Sequence, residues 1–255
     1  LNPTSNSTGA FTYSLLDGDS VSLTGSKVTI DKAGTSTITI DQGATANYGP
    51  ATTLMKIKVD PLPPNLLSPN YTVRYGDPAF SIINSITSSS SGTLVFGNGS
   101  SSNFYIDSSS GVVFLTSAGV SSITILQNSD GCYGPGYMTP SLTVLKASNN
   151  LIAGNVSKTY GDPNFVLDNF TTISTGDYAF TTIPAGIVSI NNTSSNTTII
   201  RAGTAIVSVT QFADGNYKSS TTSFTITIEK TDPVISAPYI TKFFTDPDFT
   251  ISLAS

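Results

Sequence analysis

The sequence predicts an all-β protein built as a tandem array of small sandwich modules, and three observations carry that expectation. Four landmarks recur in one register at spacings of 85 and 84 residues. Apolar residues alternate with Ser, Thr and Lys at a period of two, and no stretch holds a useful helical period.

The Asp of a repeated Asp-Pro pair stands at Asp77, Asp162 and Asp246. An Ala-Gly pair stands at Ala33-Gly34, Ala118-Gly119 and Ala202-Gly203, followed each time by a glutamine (Gln42, Gln127, Gln211) and a tyrosine (Tyr48, Tyr133, Tyr217). The first Ala-Gly has no Asp-Pro element before it, and the last Asp-Pro element, in TKFFTDPDFTISLAS, has no body after it. Residues 1–60 therefore read as the C-terminal part of a module, 61–146 and 147–230 as complete modules, and 231–255 as the N-terminal part of a module completed by the next unit. The two incomplete pieces together make 85 residues, one period, so the expectation is a circularly permuted unit of a longer array.

Within each period Val28 and Ile30, then Ile38 and Ile40, place apolar side chains on one face, with counterparts at Val113, Leu115, Ile123 and Ile125, and at Ile199, Val207 and Val209. The intervening Ala-Gly admits positive φ, so each pair reads as a hairpin. Further alternating runs lie at Phe11-Tyr13-Leu15, Leu94-Phe96 and Tyr178-Phe180, and a last strand at Ile57-Val59, Leu142-Val144 and Ile226-Ile228. About seven short antiparallel strands per module, with frequent turn signals, describe an immunoglobulin-like β-sandwich. The antibody Cys-Trp-Cys pin is absent, and Tyr48, Tyr133 and Tyr217 sit where a ring could close one end of the sandwich while its hydroxyl bonds to backbone. Short, partly Pro-stiffened junctions at VDPLPPN, KASNN and EKTDPV suit a rod.

Composition limits the partners. Charged residues make up 11% of the chain and the net charge is -5, with no basic cluster, which excludes a phosphate-tracking groove and a polybasic membrane patch. Ser and Thr, about 29% of residues, dress the surface instead, a neutral coat indifferent to salt. No apolar run approaches a membrane span, and LNPTSNSTGA has neither basic nor apolar signal regions. One cysteine excludes an internal disulfide. The expected location is extracellular, on a cell or virion surface.

The run KVTIDKAGTSTITIDQGATANYGPATTLMKIKV, its two counterparts and the YGDPxF opening (Tyr75 to Phe80, Tyr160 to Phe165) resemble the bacterial Ig-like repeats of large surface proteins, in particular the MBG type of long adhesins. The third opening departs from the pattern with Phe244-Thr245, and the second Asn-Tyr is Cys132-Tyr133. The resemblance implies an extended stalk, adhesin or filament, without catalytic residues.

The residues themselves agree with a non-enzyme. The chain has no histidine, which removes Ser-His-Asp and Cys-His arrangements and His-ligated metal. The Asp-Pro landmarks read as Asx-type turns with Phe80, Phe165 and Phe249 packing inward. The close acidic pairs Asp17-Asp19 and Asp246-Asp248 lack the oxygen count of a calcium loop, so neither metal nor cofactor is expected. The glutamines read as amides satisfying loop backbone, and Cys132 as a small buried thiol. Glycosylation sequons fall at Asn6, Asn70, Asn98, Asn155, Asn169, Asn191, Asn192 and Asn196. The expected partners are copies of the chain, end to end by covalent continuation or by strand donation, and side by side; a glycan-binding surface module is the alternative.

Overall fold

A computed structural model describes residues 3–99 and 103–251, and within them every regular element is a β-strand except one 3-10 turn at Ile83–Ser85. The fold is all-β, of sandwich type. The chain divides into two compact units. The first holds residues 1–149 with 174–176 and 213–219; the second holds 150–173, 177–212 and 220–255.

In the first unit, Phe11–Asp17, Gly34–Gln42 and Ala51–Val59 form a three-stranded antiparallel sheet, faced by the hairpin Val21–Thr24/Lys27–Ile30. Its buried cluster is small: Val21, Ile38 and Ile40, with Met55, Ile57 and Val59 only half-buried against it. Further along the same unit, Phe80–Ser81, Val112–Leu115 and Phe104–Ile106 form one sheet. Opposite it lie Leu94–Gly97/Thr124–Gln127/Gly136–Met138 and Gly119–Ser122/Ser141–Leu145/Tyr71–Arg74. Together these sheets enclose a larger cluster that includes Ile82, Phe104, Val113, Ile123, Ile125 and Leu142. Pro140 divides the last two ladders, since it has no N–H to donate, and Ile123 N–H takes its carbonyl at 2.9 Å instead.

The second unit repeats this plan without that interruption. Tyr178–Ile183, Gly203–Gln211, Ser220–Glu229 and Val156–Thr159 form a four-stranded sheet facing Val188–Ile190/Asn196–Ile199/Phe165–Val166. Phe180, Val188, Val207, Val209, Phe224, Ile226 and Ile228 fill the space between. After Glu229 the chain from Thr231 to Ile251 joins no sheet, and every residue of it is exposed.

Two sequence expectations are corrected. The strands flanking Ala-Gly do not form a hairpin: Lys27–Ile30, Val112–Leu115 and Asn196–Ile199 pair within the facing sheets, while the strands after Ala-Gly pair with the closing strand. The chain crosses between sheets there. The two residues N-terminal to each crossing (Asp31 and Lys32, Thr116 and Ser117, Ile200 and Arg201) donate to one carbonyl, that of Ser20, Asn103 or Ile187. Period-two alternation is the same for an arch as for a hairpin, so it could not separate them. Glycine is required at the crossing: φ is 148°, 150° and 142° at Gly34, Gly119 and Gly203, and a Cβ at Gly119 would lie 2.1 Å from Asn103 Nδ2.

The sheets are also not purely antiparallel. The opening strand Tyr71–Arg74 runs parallel to the closing strand Ser141–Leu145, with Leu142 opposite Tyr71 and Val144 opposite Val73. Val156–Thr159 lies parallel to Ser220–Glu229 in the same way, with Ile226 opposite Val156. Ala51–Val59 has no such neighbour among the described residues and forms the edge of its sheet. Ile57 and Val59 are accordingly half-exposed where Leu142, Val144, Ile226 and Ile228 are buried. Ile226→Ala is expected to cost about 2–5 kcal/mol in urea unfolding of the full chain, and Ile57→Ala clearly less, because its side of the core is open.

Candidate assembly joint

Each Asp-Pro landmark closes a reciprocal turn. Asp77 Oδ2 accepts Arg74 N–H at 2.8 Å while Asp77 N–H donates to the Arg74 carbonyl at 3.0 Å. Asp162 does the same with Thr159, and Asp246 with Phe243. Phe80 and Phe165 pack against buried clusters, whereas Phe249 is half-exposed. The Lys158 ammonium lies 5.1 Å over the Phe165 ring, and Lys242 lies 5.1 Å over Phe249. The free segment therefore keeps the local geometry of an opening strand without a sheet to join.

The glutamines are clamps. Gln127 Nε2 donates to the Ser90 and Gly92 carbonyls, both at 3.0 Å, and its Oε1 accepts Ser88 Oγ at 2.6 Å. Gln42 holds Ser7, Gly9 and Ser5 identically, and Gln211 accepts Thr172 Oγ1 at 2.6 Å. The segments they hold share a Ser-Ser/Thr-Gly signature at Ser7-Thr8-Gly9, Ser90-Ser91-Gly92 and Ser174-Thr175-Gly176, in which the serine Oγ accepts the glycine N–H. That signature was available in the sequence and is not one of the four landmarks.

The loop after each clamp carries a second unanticipated group. Asp130 Oδ1 accepts Cys132 and Tyr133 N–H at 3.0 and 2.8 Å, and its Oδ2 accepts Ser91 N–H at 2.7 Å and Ser90 Oγ at 2.9 Å. Asp214 repeats this with Asn216, Tyr217, Thr175 and Ser174. The Tyr133 and Ser91 backbone N–H groups hold the Asp130 carboxyl well below the usual carboxylate range, and the Thr175 N–H leads the same effect at Asp214. At the corresponding position of the first repeat stands Thr45, which keeps only the backbone bond of its N–H to the Tyr48 carbonyl, 2.8 Å.

Within the first unit these loops receive the preceding linker. Leu62 N–H donates to the Cys132 carbonyl at 3.0 Å and its carbonyl accepts Gly134 N–H at 2.9 Å. Ala147 does the same with the Asn216 carbonyl and Lys218 N–H, at 2.9 and 2.8 Å. The Ala-Gly crossing joins in: Ala118 N–H donates to Asn216 Oδ1 at 2.9 Å, and Lys146 Nζ donates to the Asp214 carbonyl at 2.6 Å. Where Cys132 replaces the asparagine, Ala33 N–H turns to the Gly131 carbonyl at 2.7 Å. The tyrosine landmark belongs to this joint. Tyr217 meets Tyr75 edge to face with centroids 5.6 Å apart, in place of the expected end-plug with a hydroxyl bond to backbone.

Cys132 is exposed, not buried, because it faces out of the braced loop. Asp19 pairs with Lys32 at 2.5 Å on the surface, and the described residues contain no group of three metal-ligating side chains. Among the sequons, Asn6, Asn70, Asn155, Asn191, Asn192 and Asn196 are exposed and Asn98 and Asn169 half-buried. Asn70 and Asn155 use Oδ1 to accept a closing-strand N–H, from Ser141 and Thr225, both at 2.9 Å. No helix of the described residues is long and apolar enough to cross a membrane.

No family model matches the chain, and no curated protein matches it. Among solved structures it is similar to the EC1-3 fragment of Drosophila N-cadherin, at 14% identity over 91% of this chain and 92% of that one, TM-score 0.34. A structure of three titin Ig domains aligns at 13% identity over 89% and 90%, TM-score 0.35. An endo-fucoidan hydrolase of glycoside hydrolase family 107 aligns at 14% over 88% of this chain and 39% of that one, TM-score 0.28. Scores of this size assign neither family nor role.

Two outcomes are expected at these loops. Gln127→Ala leaves the Ser90 and Gly92 carbonyls without their donor and should cost roughly 1–3 kcal/mol in denaturant titration. A carboxylate held low in the fold contributes stability that is present above its ordinary value, about 3.9, and is lost as pH falls below it. Asp214→Asn, which also turns an NH2 group toward Thr175 N–H, should therefore flatten the acid limb of the stability curve below about pH 4 while Asp130 continues to contribute.

Proposed function

We propose that the chain is a structural, non-catalytic repeat unit of a long extracellular filament or stalk, in which the segment 231–255 supplies the opening strand to the body 1–60 of the following unit. One observation carries this reading. The Thr231–Ile251 segment has the turn and the Lys-over-Phe contact of an opening strand but no sheet, and Ala51–Val59 has the edge of a closing strand but no opening neighbour. By register, Ile240 falls opposite Ile57 and Lys242 opposite Val59, as Val156 and Lys158 stand opposite Ile226 and Ile228. Phe249 and Ile251 correspond to Phe80 and Ile82 and would close the side of the core lined by Tyr13, Leu23, Val28 and Met55, a cleft of ≈ 470 Å³. Burial contributes roughly 1.5–3 kcal/mol for each such side chain. The expected continuation through Ser252–Ser255 and Leu1–Asn2 lies outside the described residues.

The following body is either further along one polypeptide or on a separate chain, and the two cases differ in mass. Protein from its native source, denatured, should run far above 26.5 kDa for a covalent array and at 26.5 kDa for strand donation between chains. The isolated 255-residue chain should in either case form end-to-end oligomers in sedimentation, and Ile240→Asp with Phe249→Asp should abolish them. A chain that stays monomeric at millimolar concentration would remove strand completion.

A glycan-binding role has one observation in its favour, the exposed cross-strand pair Tyr105 and Phe114, with centroids 6.0 Å apart. Loss of binding on a glycan array with Tyr105→Ala, fold intact, would support it.

A further inference from the structure

The joint of the first unit has an unfilled counterpart in the second. Tyr160, Arg201, Ala202, Lys230 and Thr231 line a recess of ≈ 290 Å³. By repeat position, Tyr160, Ala202, Lys230 and Thr231 are the equivalents of Tyr75, Ala118, Lys146 and Ala147, the four residues that grip the loop around Asn216 and Tyr217. The loop that would fit this recess also exists without a mate. Thr45, Asn47, Tyr48 and Gly49 stand where Asp214, Asn216, Tyr217 and Lys218 stand, and Tyr48 and Tyr160 are 45% and 48% exposed.

We propose that this recess is the docking site for the Thr45–Gly49 loop of a second copy, forming the joint between successive units. The proposal rests on the end-to-end reading above but uses different residues. The occupant follows from complementarity: the third repeat presents the linker half of a joint that occurs elsewhere in the same chain, and the first repeat presents the loop half. Ala202 N–H donates to Asn47 Oδ1, as Ala118 does to Asn216. Thr231 N–H donates to the Asn47 carbonyl and the Thr231 carbonyl accepts Gly49 N–H, as Ala147 does with Asn216 and Lys218. The Lys230 ammonium takes the Thr45 carbonyl, and Tyr48 meets Tyr160 edge to face. Asparagine at 47, not the cysteine of position 132, restores the side-chain acceptor that the Ala33–Gly131 contact lacks.

The test is sedimentation equilibrium of the full 255-residue chain with Asn47→Ala, Tyr160→Ala, Tyr48→Ala and the Tyr48→Ala/Tyr160→Ala double variant. Each single change should raise the apparent dissociation constant about two- to tenfold. The double variant should lose less than the product of its singles, the signature of direct contact. Both tyrosines are half-exposed, so thermal melts should stay at the wild-type midpoint; should one tyrosine variant fail that control, Asn47→Ala carries the test. Association that ignores all four changes yet disappears with Ile240→Asp would overturn the joint and leave strand completion standing. Association that responds to Asn47 and Tyr160 but ignores Ile240 would do the reverse. A chain with no association at all overturns both.

Discussion

The parallel row between an opening strand and a closing strand is the contact on which the rest depends. It sets which side of the closing strand is buried, since Leu142 and Ile226 reach zero exposure only where Tyr71 and Val156 lie beside them. It also places the Asp-Pro turn at the end of the sandwich, because Tyr75 N–H and Tyr160 N–H continue the row to the carbonyls of Leu145 and Glu229. Where the row is absent, at Ala51–Val59, the buried cluster shrinks to three residues and Ile30 stands in water, whereas its counterparts Leu115 and Ile199 are half-buried. An open edge of this kind is a template for another strand, and the chain carries one of matching pattern.

The loops that meet the linkers show how a chain with few charges makes specific contacts. Backbone groups, one amide, one lysine ammonium on a backbone carbonyl and one aromatic pair do the recognition, and the carboxylates of Asp130 and Asp214 act inside the loop, stiffening it before it is met. Stiffening in advance lowers the ordering cost of association. The neutral Ser/Thr surface leaves such contacts insensitive to ionic strength, in keeping with a protein whose described salt bridges are exposed pairs.

Much of this was legible in the sequence, and the part that was not has a common cause. Landmark spacing located the clamps, the turns and the crossings, because each needs one residue type at one place: an amide at Gln127, a carboxylate at Asp77, a glycine at Gly119. Pairing partners were not legible. Alternation places Val113 and Ile123 on the inside for a hairpin and for an arch alike, and nothing in YTVR says that it runs parallel to SLTVL. The role of Tyr217 was also hidden, since its ring partner, Tyr75, lies 142 positions away and only the joint brings them together. Asp130 and Asp214 were missed because the first repeat has Thr45 in their place, which breaks the register by which landmarks are recognised.

The parallel row has a mechanical meaning. In the 61–146 and 147–230 stretches the chain enters through the opening strand and leaves through the closing strand, and the two are neighbours running the same way. Tension along the polypeptide pulls the start of one against the end of the other, so the hydrogen bonds between them are loaded in shear and bear it together. A hairpin at the same place would be peeled one bond at a time. The register Leu142–Tyr71 through Leu145–Arg74 thus resists extension through strand direction alone, with one cysteine and hence no disulfide within the chain.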